Sequence, residues 1–257
     1  MKVSEGSVIV TGATRGIGRA VVDAVLDSGG RVIAIARDSA ALAQLVGEHG
    51  ERIRAVRADV GETESLPEVA RAAIDAFGGV DGLVNCAGIA RYEPVGGIEP
   101  DSIDAQLRVN LVAPLLLSQA IAEHLRARGG SIVNVSSTLS VNSAEFTTVY
   151  AATKAGLNAI TRGLALELAP HAIRVNAVLP GGVDTDMLRA PRLRPGEQLD
   201  DAAIEARVQA QLDALASLHP LGRLGRPAEV AETIVSVMDR EWQTGSLVTI
   251  DGGLSLR

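Results

Sequence analysis

Aromatic side chains and cysteine are scarce in this chain of 257 residues. Two tyrosines, two phenylalanines and one tryptophan are too few for a protein whose main activity is to stack on single-stranded nucleic acid. The single cysteine, Cys86, excludes an internal disulfide and a zinc site built from several cysteines, and it indicates a reducing compartment. The core must therefore be built from Ala, Val, Leu and Ile.

Basic charge is also in deficit. The chain carries 24 Lys and Arg against 31 Asp and Glu, a net charge of −7. Without a basic excess to release counterions from phosphates, general nucleic-acid binding is not expected. No apolar run approaches the roughly 20 residues of a membrane span, and the N-terminal segment is too short and too acidic for a secretory signal. We therefore expect a cytoplasmic protein that binds neither nucleic acid nor membranes.

Short β-branched segments alternate with longer amphipathic segments along the chain. The strand-like segments are 7–11, 31–36, 53–58, 82–85, 131–136, 173–178 and 246–250, and the helix-like segments are 17–28, 39–48, 65–77, 102–128, 150–169 and 227–239. Near-continuous apolar strands suit a sheet covered on both faces. The pattern predicts one α/β domain over residues 1–257, a Rossmann-type doubly wound sheet of about seven mostly parallel strands with helices on both faces.

One segment, at about 184–220, departs from this alternation. It holds Arg189, Arg192 and Arg194, and two prolines precede a helix-like stretch over about 200–217. An excursion of this length on one domain predicts a substrate lid, with a solvated surface excursion as the alternative. Its arginines could meet an anionic substrate such as a phosphopantetheine thioester, or they could simply face solvent.

A glycine-rich turn follows the first strand and opens a helix. Glycines there permit a tight turn and close approach of a pyrophosphate, and the helix N-terminus adds free N–H groups. The spacing is G-x-x-x-G-x-G rather than G-x-G-x-x-G. The residues expected to hold a dinucleotide phosphate are Gly12, Thr14, Arg15, Gly16, Ile17 and Gly18.

The end of the second strand indicates which dinucleotide is favoured. An NAD site has an acidic residue there for the ribose 2′-hydroxyl, whereas this chain has Ala36 followed by Arg37. Arg37 and Arg15 together can neutralise a 2′-phosphate. Alternatively, both arginines are solvated and Asp38 reaches the ribose. We predict NADP(H), with NAD(H) as the alternative.

Tyr150 and Lys154 are four residues apart at the start of a predicted helix, so they share a face. A free phenol has a pKa near 10 and is a poor base at neutral pH. A cation about 5 Å away favours the phenolate by roughly 3 kcal/mol, about two pK units. The pair predicts an acid/base tyrosine, with an ordinary surface pair at helical spacing as the alternative.

Several motifs fall in a characteristic order. They are the glycine turn, Asn85-Cys86-Ala87-Gly88, Ser137 thirteen residues before Tyr150, Lys154, and Pro180-Gly181. The chain thereby resembles the short-chain dehydrogenase/reductase superfamily in its compact branch, and in particular its 3-oxoacyl-carrier-protein reductase-like members. It departs from the family at Cys86, where a second asparagine is usual. We interpret Cys86 as a buried small residue rather than a nucleophile.

The resemblance implies a role for each matching residue. Tyr150 would be the acid/base at the substrate oxygen, Ser137 would hydrogen-bond that oxygen, and Lys154 would lower the tyrosine pKa and hold the nicotinamide ribose. Asn110 would support a water relay to the lysine. The implied cofactor-binding residues are Asp59 and Val60 at the adenine, Asn85, Ala87 and Gly88 in the cleft, and Pro180, Gly181, Val183 and Thr185 towards the nicotinamide.

The segment between Ser137 and Tyr150 borders the substrate pocket in this family. Glu145 and Phe146 are therefore candidate selectivity residues, and Leu139, Gly182 and Leu188 join them. Tyr92 follows the fourth strand and can overhang the ligand-binding edge of the sheet, with a partly exposed loop tyrosine as the alternative. The four histidines are scattered without ligand spacing, so no metal site is expected.

Together these residues imply an NADP-dependent oxidoreductase that transfers a hydride between nicotinamide and a carbonyl or secondary alcohol carbon by a Ser-Tyr-Lys mechanism. The alternatives are an NAD-linked alcohol dehydrogenase and a non-catalytic redox sensor that binds the nucleotide. A sensor has no need of all three side chains together. The resemblance also implies a homo-oligomer, a tetramer or dimer, that acts on a small molecule.

Overall fold

The computed structural model describes residues 2–192 and 197–256. A seven-stranded sheet lies at its centre, in the order β3-β2-β1-β4-β5-β6-β7, and all neighbouring strands are parallel. The strands are β1 Ser7–Thr11, β2 Arg31–Ala36, β3 Ile53–Arg57, β4 Gly82–Asn85, β5 Gly130–Val135, β6 Ile173–Pro180 and β7 Leu247–Ile250. The predicted doubly wound α/β sheet is confirmed, and it is entirely rather than mostly parallel.

Helices cover both faces of this sheet. They are α1 Gly16–Asp27, α2 Ser39–His49, α3 Leu66–Asp75, α4 Pro100–Leu107, α5 Ala113–Leu125, α6 Thr148–Leu168, α7 Asp186–Arg189, α8 Asp201–Leu218 and α9 Pro227–Asp239. Successive strand residues point to opposite faces, so Val8 and Val10 pack in one apolar cluster with α1, α2 and α9. Ile9 packs in the other cluster, with α3, α5 and α6. Both faces are buried, which explains the near-continuous apolar strands.

The predicted helix 102–128 is not one regular helix. A π-helical turn, Arg108–Val112, joins α4 to α5 within a continuous helix, Pro100–Leu125. Among the described residues this is the helix whose length and hydropathy would allow a membrane span. Its side chains Leu117 and Ile121 are fully buried against the sheet and neighbouring helices, so packing accounts for its apolar composition.

The segment from 184 to 220 lies over the carboxyl ends of the strands. Its described parts include α7 and α8, and the predicted helix over 200–217 is confirmed as α8. The side chain of Gln211 on α8 donates hydrogen bonds to the carbonyl oxygens of Leu188, at 2.7 Å, and Ala190, at 3.3 Å. These bonds hold the start of the segment against α8. Arg194 lies outside the described residues.

Candidate active site

A cavity of about 1000 Å³ opens at the carboxyl ends of the parallel strands. It extends from the turn after β1 to the start of α6, and the segment from 184 to 220 covers part of it. The predicted site residues that line it are Gly12, Thr14, Arg15, Gly16, Ile17, Gly18, Arg37, Asp59, Val60, Ala87, Gly88, Ser137, Leu139, Tyr150, Lys154, Pro180, Gly181, Gly182, Val183, Thr185 and Leu188. The topology thus brings residues from the whole length of the chain into one cleft.

The turn after β1 has the backbone that a pyrophosphate requires. Gly12 and Gly16 adopt left-handed conformations, with φ of +67° and +54°. A Cβ at position 18 would overlap the carbonyl oxygen of Gly12, so only glycine fits there. Arg15, the N-cap of α1, makes no side-chain capping bond. The first N–H groups of α1 therefore have no side-chain acceptor and can bind an anion.

The end of β2 places charged side chains at the same cavity wall. Arg37 is two-thirds exposed and lies 3.3 Å from the Asp59 carboxylate. Arg15 lies 4.0 Å from Asp186, and both of those side chains are exposed. Asp38 caps α2, because its carboxylate accepts hydrogen bonds from the first backbone N–H groups of that helix.

Ser137, Tyr150 and Lys154 meet at the opposite end of the cavity. Ser137 follows β5, is almost fully buried and lies close enough to the Tyr150 hydroxyl to interact with it. Lys154, one turn after Tyr150 on α6, is buried and donates a hydrogen bond of 2.8 Å to the carbonyl oxygen of Val135. Its ammonium nitrogen lies 5.8 Å from the centre of the Tyr150 ring. The structure therefore brings together the three residues that the family resemblance implied.

The electrostatics of this cluster differ from the expectation. Burial raises the pKa of Tyr150 above its ordinary value, and Tyr92 and Cys86 add to the rise, whereas the Ser137 hydrogen bond opposes it. Burial lowers the pKa of Lys154 to about 8. The net pKa of Tyr150 therefore lies above its ordinary value rather than below it, because desolvation of the phenolate outweighs the stabilisation that a neighbouring ammonium provides. Tyr150 is thus a protonated phenol at neutral pH.

A family model described as short chain dehydrogenase matches residues 6–195, which is well over half of the chain. The chain belongs to the short-chain dehydrogenase family. It is therefore an enzyme of the dehydrogenase/reductase type, and membership in this family favours an oxidoreductase over a sensor.

Curated short-chain dehydrogenase relatives match over almost their whole length. L-xylulose reductase of Bos taurus is 38% identical over 95% of this chain and 94% of the relative. Short-chain reductase protein NovJ of Streptomyces niveus is 36% identical over 98% and 95%. The 3-oxoacyl-[acyl-carrier-protein] reductase of Mus musculus is 33% identical over 96% and 97%. These relatives support the expected resemblance to 3-oxoacyl-carrier-protein reductases.

A solved structure has the same fold. The ligand-free aldohexose dehydrogenase of Thermoplasma acidophilum superposes with a TM-score of 0.86 at 29% sequence identity. The match covers 99% of this chain and 96% of the dehydrogenase. It extends through the segment from 184 to 220, so the short-chain dehydrogenase fold accounts for the whole chain.

Asn110 lies behind the cavity of this short-chain dehydrogenase rather than in its wall. The π-helical turn carries it, and its side chain forms two hydrogen bonds with the backbone of Ile89, of 2.9 Å and 2.8 Å. A Cβ built on Gly88 would lie 3.4 Å from the Asn110 oxygen and 3.6 Å from the Lys154 nitrogen. Asn110 therefore lies beside the lysine, as the resemblance implied.

Three other predicted site residues do not line the cavity. The buried amide of Asn85 donates to Asn134, at 2.9 Å, and to Ser118, at 3.2 Å, so it joins β4 to β5 and α5 instead. Glu145 and Phe146 are exposed outside the lining, although Ala144 and Thr147 on either side of them belong to it, and Phe146 has a φ of 64°. The structure does not support these three positions as pocket residues.

Cys86 lines the cavity and packs against the core cluster of β1 and α1. Burial raises the pKa of its thiol to about 12. Cys86 is therefore protonated at neutral pH, which agrees with its interpretation as a small packing residue rather than a nucleophile.

Sequence reasoning missed His219. This residue is buried, its Nε2 accepts a hydrogen bond of 3.0 Å from the Gly182 backbone, and its Nδ1 lies 2.8 Å from the carbonyl oxygen of Leu215. These partners assign the proton to Nδ1. No spacing motif marks His219, because its partners come from β6 and α8. Within the described residues, no group of three or more metal-ligating side chains is placed to hold a metal ion.

Proposed function

We propose that this chain is an NADP(H)-dependent oxidoreductase that interconverts a carbonyl and a secondary alcohol. The neighbouring side chains of Ser137 and Tyr150, with Lys154 buried beside them in the cavity that begins at the glycine turn, carry the proposal. When bound, the nicotinamide cofactor supplies or accepts the hydride. The protein residues position the substrate oxygen and move its proton.

In the reducing direction Tyr150 is the general acid. Its raised pKa keeps the hydroxyl protonated at neutral pH, so it can donate a proton to the substrate oxygen. The Ser137 hydroxyl hydrogen-bonds the same oxygen and stabilises the charge that develops there. The Lys154 ammonium, 5.8 Å from the ring, stabilises the phenolate that the transfer leaves. Oxidation uses the same groups in reverse.

The remaining cavity residues would hold the dinucleotide. The glycine turn and the α1 N-terminus suit the pyrophosphate, and Asp59 and Val60 lie where an adenine would bind. Towards Tyr150, the backbone of Pro180-Gly181 and the side chains of Val183 and Thr185 line the space for the nicotinamide. This assignment is supported by the left-handed backbone of Gly12 and Gly16 and by the residues that line the cavity.

The preference for NADP(H) rests on two arginines and one capped aspartate. Arg15 and Arg37 are exposed at the adenosine end, where guanidinium groups can bind a 2′-phosphate. Asp38 is engaged as the N-cap of α2, which leaves it less able to accept from a ribose hydroxyl. We expect Arg37→Asp to lower kcat/KM for NADPH at least ten-fold with little effect on NADH. An unchanged NADPH preference, or a wild-type preference for NADH, would contradict this assignment.

The reaction itself is tested by NADPH oxidation against keto-esters, aryl ketones, acyl thioesters, quinones and keto-sugars. For the best substrate, Tyr150→Phe should lower kcat by about 10²–10⁴, because only the proton donor is lost. Cofactor binding, measured by fluorescence of bound NADPH, should stay within about two-fold of the wild type. A Tyr150→Phe enzyme with wild-type kcat would refute the assigned role of the tyrosine.

We also propose that the enzyme is a homo-oligomer, a dimer or tetramer, through the exposed sides of α5 and α6. Leu166 on α6 is 80% exposed, which is unusual for a leucine in the middle of a long helix. Light scattering coupled to size exclusion measures the assembly. A monomer at micromolar concentration would contradict this proposal.

A further inference from the structure

Arg192 and Tyr92 form a stacked pair in the wall of the cavity. The guanidinium carbon of Arg192 lies 3.8 Å from the centre of the Tyr92 ring, a close cation–π contact. Glu93, the residue after Tyr92, donates a backbone hydrogen bond of 2.9 Å to the carbonyl oxygen of Phe146, four residues before Tyr150. The pair therefore belongs to the end of the cavity where the carbonyl group would react, not to the end with the glycine turn.

Among the described arginines of the cavity wall, Arg192 alone lacks a carboxylate partner. Among the described residues, three arginines line the cavity, and two of them have a carboxylate partner: Arg15 with Asp186 at 4.0 Å and Arg37 with Asp59 at 3.3 Å. No carboxylate in the described part of the chain lies within ion-pair distance of Arg192. Arg192 thus adds an uncompensated positive charge to the end of the cavity that already holds Lys154.

The Arg192 side chain also lacks hydrogen-bond acceptors. Its Nε is buried and has no partner among the residues that the structure describes. A buried donor without an acceptor is unfavourable, and a guanidinium has five N–H donors in a planar fork. The tyrosine ring offers a face to the cation but cannot accept the in-plane hydrogen bonds. A planar or tetrahedral oxyanion can.

The backbone before Arg192 is held in place. Gln211 of α8 donates its two hydrogen bonds to the carbonyl oxygens of Leu188 and Ala190, just before the arginine. Arg189 on the same segment forms a bidentate pair with Asp184 at 2.7 and 2.8 Å. The neighbouring wall is apolar, with Leu188, Leu215 and Leu218. A ligand there would have an aliphatic body and one charged end.

We propose that Arg192 binds an oxyanion, a carboxylate or a phosphate, on the substrate, so that the enzyme prefers oxo acids or phosphorylated carbonyl compounds over neutral ones. This inference rests on the proposed function, because it places the anionic group relative to the carbonyl that Tyr150 protonates. The Tyr92 ring packs against the Arg192 guanidinium. Arg192, on the segment from 184 to 220, is the specificity-determining side chain.

The test compares charged substrates with neutral partners of nearly the same size. Oxo acids of increasing chain length are assayed beside their methyl esters, and dihydroxyacetone phosphate beside dihydroxyacetone. The first series reports a carboxylate and the second a phosphate. In at least one series the wild type should favour the anion by about ten-fold or more in kcat/KM, because a hydrogen bond to a charged group usually contributes at least that much. Equal kcat/KM within every pair would overturn the proposal.

Substitutions then assign the preference to Arg192. Arg192→Gln should raise KM for the anion about 10–100-fold and leave kcat/KM for the neutral partner within about three-fold, and Arg192→Lys should restore only part of the affinity. Arg189→Gln is the matched control, because that arginine lies on the same segment but is already paired with Asp184. If Arg192→Gln lowers activity equally on charged and neutral substrates, Arg192 only stabilises the position of the segment from 184 to 220, and the proposal is wrong.

A binding measurement keeps this inference separate from the proposed reaction. The melting temperature of the wild type with NADP⁺ should rise more with the anion than with its neutral partner, and Arg192→Gln should abolish the difference. Turnover of neither class of carbonyl would refute the proposed reaction but leave this readout intact. Equal shifts with the anion and its neutral partner in the wild type would refute the anion site, whatever the turnover.

Discussion

Replacing Lys154 by methionine should stabilise the folded chain at neutral pH while it abolishes turnover. Lys154 is only 4% exposed, and burial lowers the pKa of its ammonium from 10.5 to about 8. At pH 7 the folded chain therefore buries a charged ammonium, which is unfavourable because the ammonium loses its hydration, whereas in the unfolded chain the same ammonium is in water.

The magnitude follows from the shift. The fall of 2.5 units, from 10.5 to 8, corresponds to about 3 kcal/mol at 1.36 kcal/mol per unit. Methionine also removes the hydrogen bond from Lys154 to Val135, which costs about 1 kcal/mol. The net gain in the free energy of unfolding is about 2 kcal/mol at pH 7 and below. Above pH 10.5 the lysine is neutral in both states, so only the loss of about 1 kcal/mol remains.

Urea unfolding at pH 6, 8 and 10.5, followed by circular dichroism at one protein concentration, measures this difference. The gain in the free energy of unfolding from Lys154→Met should shrink between pH 8 and 10.5 and then change sign. In that pH range Lys154 has released its proton in the folded wild type but not in the unfolded chain. Lys2, the other lysine of the chain, is exposed, and Lys2→Met should show no such trend. A variant less stable than the wild type by the same amount at every pH would show that the ammonium is not desolvated.

Three further substitutions, with Gly47→Ala as a control, test the cavity and its supports. Gly18→Ala should weaken NADPH binding at least ten-fold, because a Cβ there meets backbone. Gly47→Ala, in open space within α2, should stabilise the fold by about 0.5–1 kcal/mol. Equal effects of the two variants on NADPH titration and on urea unfolding would contradict the crowding at position 18. His219→Ala should cost about 1–3 kcal/mol in urea unfolding, since it leaves the Gly182 N–H without its acceptor, and an unchanged midpoint would argue against that bond. Asn85→Ala should lower the free energy of unfolding by a similar amount and leave KM for NADPH unchanged. A raised KM would show that Asn85 contacts the cofactor.

The regular elements were predictable from the sequence because their causes are local. Strand ends lie within two residues of the predicted ones, since β-branched runs bounded by glycine and polar residues mark a strand buried on both faces. The glycine turn was predictable for the same reason, because it needs backbone conformations that few other residues adopt. The helix 102–128 was predicted only as one piece, since apolar periodicity does not show the π-helical turn around Asn110.

Side-chain environments needed the tertiary structure. The i, i+4 spacing of Tyr150 and Lys154 shows that they share a helix face, but not that both are buried deeply enough for desolvation to raise one pKa and lower the other. Phe146 was expected in the pocket from its position between Ser137 and Tyr150, and a turn with positive φ leaves it half exposed. Sequence distance alone does not reveal such a turn.

Local patterns in the sequence were enough to predict the parallel α/β sheet, the glycine turn and the shared helix face of Tyr150 and Lys154, because periodicity, glycine chemistry and helical spacing act over a few residues. Ser137 was assigned from the family resemblance. The tertiary structure decided which side chains face the cavity, how the pKa values of Tyr150 and Lys154 shift, and which arginine stays without a carboxylate partner in the described chain. Those properties depend on contacts between residues far apart in the chain, as when Tyr92 after β4 meets Arg192 before α8. Burial and charge pairing are properties of such contacts, and no linear pattern specifies them.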